Sequence, residues 1–398
     1  MSRRAKSRPF LLTAESSLES RVLLSASFAG GLGGSGVDWA KDLVVDSSGS
    51  VITVGHFGST GDFDPGEGTA ILKDGGTFIT KLDKDGEHLW SKQIATHRPQ
   101  FVGGANSVFV DNQDEIYVVG GFQGVVDFDP GAGTDIHQSV NGDGAFILKL
   151  TAAGSFEWAR TIASNGGSIS ASVTAHAVTG DDFDSIYVTG DLHGSADLDP
   201  GPGSAIHSSG LNGGGFTLRL TVDGAYVWSQ DWNARLFDIA VDATGHHFVT
   251  GSVSSGAFTA KLNDVDGTLD WAKFYTRESG GATGRGITVD ASGNSYTTGD
   301  YRGTVDFDPG PAKQSFSSNG SGDIFVTRLD ADGQLDWAYT AGAVGLDSGF
   351  AIDVVDDGTL FVTGRYANTV DFDAGPGIST ITSTAGSPRT ARTIGNMY

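Results

Sequence analysis

Apolar and polar positions alternate with a period of two along most of the chain, in short runs broken by Asp, Ser, Asn and Gly. The segment VVDSSGSVITVG at 44–55 shows the form: a β-rich run, an Asp-x-x-Gly centre, and a second β-rich run. Such alternation marks half-buried strands, and the Asp–Gly centre marks a hairpin turn with Gly in the left-handed region. The phrase returns at 109–120, 177–190, 240–251, 288–299 and 354–364. A second phrase, TFITKLDKDGEHLW at 77–90, returns at 145–158, 215–228, 257–271 and 324–337. It closes on Trp90, Trp158, Trp228, Trp271 and Trp337, spaced by 68, 70, 43 and 66 residues.

Each phrase predicts two antiparallel strands around a turn, so one unit of roughly 65 residues carries four strands. A four-stranded sheet cannot bury both faces alone, and six such units predict an all-β fold: a β-propeller of six four-stranded antiparallel blades. The Trp of each fourth strand is the expected wedge between blades; a sugar-stacking role is the alternative. The fourth unit is short, with Gly251 joined almost directly to Ala257. The sixth loses the pattern after about residue 386, so ring closure calls on an N-terminal strand at 25–30, SASFAG. The expected organisation is a targeting segment or tail at 1–24 and one propeller domain at 25–398.

The repeated phrase is similar to the bacterial SBBP-type β-propeller repeats, over about residues 25 to 385. That resemblance implies the fold and an extracellular setting, and no particular activity. Near the N-terminus, Leu18-Glu19-Ser20-Arg21-Val22-Leu23-Leu24-Ser25-Ala26 resembles the LEPRVLLS motif of planctomycete exported proteins, with Ser20 where that motif has Pro. The resemblance implies export to the cell surface or medium. The segment lacks the continuous apolar stretch of an ordinary secretory signal.

A third phrase fills the connection between the second and third strands of five units. It reads Asp62-Phe63-Asp64-Pro65-Gly66, with counterparts from Asp127 through Asp129, Asp197 through Asp199, Asp306 through Asp308 and Asp371 through Asp373. In an extended segment the two Asp side chains face one way and the apolar residue the other. Three readings are open. The carboxylates cap their own turn, or pair with Lys81, Lys149, Arg219 and Arg328 on the third strands. They bind Ca²⁺, the candidate cofactor, as hard oxygen donors. Or they form an acidic rim that faces a ligand. The first Asp of each loop is expected to be the more buried.

Charge narrows the partners. The formal net charge is −23, and residues 1–24 carry five basic and two acidic side chains, so the body is more acidic still. Such a body repels phosphate backbones, which excludes nucleic acid. There is no cysteine, hence no disulfide framework or thiolate zinc site. No apolar run reaches the length of a membrane helix. The nine histidines are scattered, and no nucleophile elbow, P-loop or dinucleotide fingerprint is present. The composite expectation is an exported, monomeric, non-enzymatic scaffold or binding protein for a protein or glycan ligand. The alternative is a carbohydrate-active hydrolase or lyase with carboxylates at the propeller mouth.

Overall fold

The computed structural model describes residues 30–94, 104–164, 171–210, 213–355, 358–373, 377–383 and 389–390. These residues form strands and turns, with no helix among them. The fold is all-β, and its unit is the propeller-type blade, a four-stranded antiparallel meander. The chain divides into two compact units, Met1–Gly213 with Leu218–Ser229, and Gly214–Thr217 with Gln230–Tyr398.

In the first unit, blade 1 consists of Trp39–Val45, Val51–Phe57, Gly76–Leu82 and His88–Ile94. Blade 2 consists of Ala105–Val110, Ile116–Asp127, Ile136–Leu150 and Phe156–Ile162. Blade 3 runs Ser172–Gly180, Ser185–His193, Gly214–Thr221 and Tyr226–Trp232, its third and fourth strands being divided between the units. Alternating strand residues bury Ile52, Val54, Ile79, Val118, Phe146 and Leu148 in one core shared by blades 1 and 2. Polar bonds reinforce it: Asp42 Oδ2 of blade 1 accepts from Ser107 Oγ at 2.8 Å and from the Val108 N–H at 2.9 Å in blade 2.

In the second unit, blade 4 is Arg235–Val241, His247–Val253, Gly256–Leu262 and Leu269–Phe274. Its second and third strands are joined by a tight turn, as the short spacing predicts. Blade 5 is Gly281–Val289, Ser295–Arg302, Asp323–Leu329 and Leu335–Ala341. Blade 6 has Ser348–Val354 and Leu360–Tyr366, with Arg389–Thr390 as a two-residue third strand. Asp238 Oδ2 of blade 4 accepts the Ile287 N–H of blade 5 at 2.8 Å, the same device as Asp42. The expected closing strand at 25–30 lies outside the described residues except for Gly30, as does the expected targeting segment at 1–24.

The tryptophans depart from expectation. Only Trp228 is buried; Trp90, Trp158, Trp271 and Trp337 are half-buried. The reason is their place on an edge strand. Four of the five pack one side on an aromatic of their own second strand, as Trp158 does on Tyr117 at 6.2 Å and Trp337 on Tyr296 at 6.3 Å, while Trp90 packs on the core shared by blades 1 and 2. Trp158 also donates its Nε1–H to the Val222 carbonyl at 3.3 Å, reaching the last turn of blade 3. A Cβ on Gly224 in that turn would come within 3.2 Å of the Trp158 ring, so the wedge needs glycine there. The wedge role stands at Trp158, while Trp90, Trp158, Trp271 and Trp337 each keep part of the side chain in solvent.

Candidate functional site

The DFDPG segments are the tips of short hairpins that continue beyond the second and third strands. Asp62 pairs across to Ile71, Asp127 to Ile136, Asp197 to Ile206, Asp306 to Ser315 and Asp371 to Thr380. The apolar residue plugs inward. Phe128 lies edge-on to Phe122 at 5.3 Å and tilted on Phe146 at 5.1 Å, fully buried. Phe63, Leu198 and Phe307 are buried equivalently.

The carboxylates close on their own backbone. Oδ1 of the first Asp accepts two N–H groups, two and eight residues on. These are Asp64 and Ala70 for Asp62, and Asp129 and Asp135 for Asp127. They are Asp199 and Ala205 for Asp197, Asp308 and Gln314 for Asp306, and Asp373 and Ser379 for Asp371. All ten distances fall between 2.7 and 3.1 Å. Oδ1 of the second Asp then accepts the N–H of Gly66, Gly131, Gly201 or Gly310. The N–H of Ala70 and then of Asp64 hold the Asp62 carboxyl below the usual carboxylate range. At Asp197 burial pulls upward, but the donors Ala205, Ser204 and Asp199 outweigh it.

Two expectations change here. The first Asp is the more buried only at Asp306; at Asp371 the order is reversed, and in the other three loops both carboxylates are half-buried. The third-strand bases do not reach these loops. Lys81 pairs with Asp46 Oδ2 at 2.7 Å, Lys149 with Glu115, and Arg328 with Asp336 Oδ2 at 2.6 Å. Arg219 donates to Ser185 Oγ at 2.9 Å and lies over Tyr187. Lys81, Lys149 and Arg328 lie opposite Trp90, Trp158 and Trp337 near the ends of their third strands, at the end of the blade away from the DFDPG loop.

The ordinary turns use the same chemistry. Asp46, Asp111, Asp181, Asp242 and Asp290 each accept backbone N–H groups two and four residues on. Asp83 and Asp330 do so at the other turns. Most acidic residues of the chain are Asp. Glu would serve net charge equally, but only the short Asp side chain folds back onto its own turn. The acidity is therefore largely a by-product of turn construction. Among the described residues, no group of three or more His, Asp or Glu is placed to hold a metal ion.

The structure adds a feature that alternation conceals. Every first strand carries a β-bulge at one equivalent position, leaving one residue unpaired in the ladder: Lys41, Asn106, His176, Phe237, Arg285 and Phe350. The residue before each bulge faces a Gly within the second strand: Gly55, Gly120, Gly190, Gly251, Gly299 and Gly364. A Cβ on Gly120, Gly251 or Gly299 would lie 1.9 Å from the carbonyl oxygen of Gly104, Arg235 or Thr283, in or just before the first strand, which is why that Gly recurs. Bulges concentrate where side chains are re-aimed beside sites. The sequence signal was the recurring Gly, here explained by a close backbone approach.

Within the first unit, an open groove of 530 Å³ lies between blades 2 and 3, lined by His137, Arg160, Asp199, Pro200, Asp223 and Tyr226 among others. His137 is held by Thr161 Oγ1 at 2.9 Å, and Arg160 by the Gly224 carbonyl at 3.1 Å, so both walls are built rather than loose.

No family model matches the chain, and no curated protein matches it in sequence. Solved structures overlap it only loosely. A putative oxidoreductase (glucose dehydrogenase) from Thermus is 13% identical with a TM-score of 0.43, covering 84% of this chain and 91% of that one. A Dos1 propeller is 9% identical, TM-score 0.41, over 82% and 76%. Regucalcin, a calcium-binding protein from Agrobacterium tumefaciens, is 12% identical, TM-score 0.36, over 84% and 85%.

Proposed function

We propose that this protein is a non-enzymatic binding or scaffold protein that acts at the cell surface or outside the cell. The observation that carries the reading is the fivefold repetition of one closed hairpin. In each copy the first carboxylate is committed to the same two backbone N–H groups, which suits a rigid platform better than acid–base chemistry. A glycosidase site asks for two carboxylates facing one cleft. Of the carboxylates that burial pushes upward here, Asp42, Asp323 and Asp347 accept backbone N–H groups and Asp143 accepts from the Gln123 amide. The similarity to SBBP-type repeats and the LEPRVLLS-like segment support the extracellular setting.

Fractionation of cells expressing the full chain tests the location, with immunodetection in medium, surface and cytoplasmic fractions. Incubation with a panel of polysaccharides, followed by product analysis, tests the chemistry. The expected result is surface or medium localisation with no cleavage. Retention in the cytoplasm, or release of oligosaccharide products that active-site titration tracks to this chain, overturns the reading.

A further inference from the structure

The six bulge residues share one backbone geometry but not one chemistry, and in the second unit they gather cations and rings. Phe237, Arg285 and Phe350 occupy the equivalent positions of blades 4, 5 and 6. Their strands lie side by side: a Cβ on Gly286 would meet the Phe350 carbonyl oxygen at 2.9 Å and Ala351 Cα at 2.8 Å. The Arg235 guanidinium stands 5.2 Å from the Phe237 ring centre, and that of Arg285 stands 5.9 Å from the same centre. The Arg365 guanidinium lies 5.8 Å from the centre of Phe350, which is 38% exposed. Arg365 Nε–H is buried and meets no acceptor among the described residues. Acids beside the stripe include Asp300, whose Oδ1 takes Arg285 Nε at 2.5 Å, Asp238, which accepts the Ile239 and Ile287 N–H groups, and Asp347, which feels the Arg365 charge while accepting the Ala343 and Ala367 N–H groups.

Three guanidiniums alternating with two rings on a chain of net charge −23 are not accounted for by turn construction. Packing does not require them either, since the equivalent positions of blades 1 and 2 hold Lys41 and Asn106. Guanidinium forks match planar carboxylates in a bidentate way, and a half-exposed ring offers a flat apolar surface for the C–H face of a pyranose. We propose that the stripe Arg235–Phe237–Arg285–Phe350–Arg365 is a binding site for a carboxylated glycan, a chain of uronic acid residues. The proposal rests on the reading of the protein as a binding protein and names its ligand class.

Calorimetric titration of the full chain with hexagalacturonate tests it, with the methyl-esterified hexamer as the uncharged control. Binding of the acid and not of the ester is expected. Arg365→Gln and Arg235→Gln are each expected to weaken it tenfold or more, with the fold checked by circular dichroism. Phe350→Ala weakens it with the charges intact. Lys41→Gln, in the other unit, leaves it unchanged. Equal binding of the ester, or unchanged affinity in both Arg variants, overturns the proposal. Tighter binding of a sulfated oligosaccharide overturns the carboxylate assignment. Absence of binding by a folded protein overturns this site but not the binding-protein reading. Cleavage of the hexamer that the Arg variants abolish supports the site and overturns the non-enzymatic reading.

Discussion

The DFDPG hairpins and the first-strand bulges are both repeated, and they are repeated differently. The hairpins repeat in residue identity: Asp, then Phe or Leu, then Asp, with the same bonds each time. The bulges repeat in geometry alone, and their unpaired residues are Lys41, Asn106, His176, Phe237, Arg285 and Phe350. Each DFDPG hairpin needs its carboxylates to close its own backbone and its Phe or Leu plug to bury, so identity is constrained wherever the hairpin occurs. A bulge needs only the backbone step and a glycine opposite, so its side chain is open to specialise. Within this molecule, sameness marks construction, and difference at a matched position is what the proposed binding stripe draws on.

The strongest way to break this comparison is to remove a plug. Phe128→Ala is expected to cost about 3–5 kcal/mol, read by thermal or denaturant unfolding. A loss below about 1 kcal/mol would mean the hairpin hangs free of the core. Next is the glycine that admits the bulge. Gly299→Ala sets a methyl 1.9 Å from a carbonyl oxygen, with an expected cost of about 1–3 kcal/mol or more and loss of amide protection in blade 5. Asp127→Ala strands the N–H groups of Asp129 and Asp135, for about 1–2 kcal/mol. Asp127→Asn, which keeps an acceptor oxygen, should recover most of that. At the bulge itself, Lys41→Ala is expected to move stability by no more than about 0.5 kcal/mol, since Lys41 is exposed. A large effect there would mean bulge side chains are structural too.

Acid sharpens the same contrast. Asp62 and Asp197 have folded pKa values below the ordinary one. Their stabilisation is present above the unfolded value of about 3.9 and is lost as pH falls through the lower folded value. Asp42, Asp323 and Asp347 run the other way: burial raises them, so their ionisation destabilises the fold as pH rises through the raised values. Asp62→Asn should therefore flatten the acid side of the stability curve, whereas Asp323→Asn should flatten the side above it. The smallest expected effect is that of calcium. With each first carboxylate already bonded, millimolar Ca²⁺ after chelation should leave the melting midpoint in place; a shift of several degrees would assign the loops to metal.

Strands, hairpins, unit length and the short fourth unit were legible because their determinants are local. An Asp that caps N–H groups two, four or eight residues away writes its turn into a short string, as Asp46, Asp83 and Asp62 do. The buried plug was legible for the same reason, since one residue between two carboxylates must point away from them. What only the tertiary structure decided depends on register between strands distant in the chain. Pairing of the second and third strands sets Lys81, near the end of its strand, beside the Asp46 turn and away from the DFDPG loop that precedes that strand. The first-strand bulge shifts the burial alternation by one residue, as at Gly286 and Ile287, but its position is set by pairing with the second strand. Arg285 meets Phe237, and the backbones at Gly286 and Phe350 meet, because successive blades pack first strand to first strand, so packing rather than sequence distance determines which residues become neighbours.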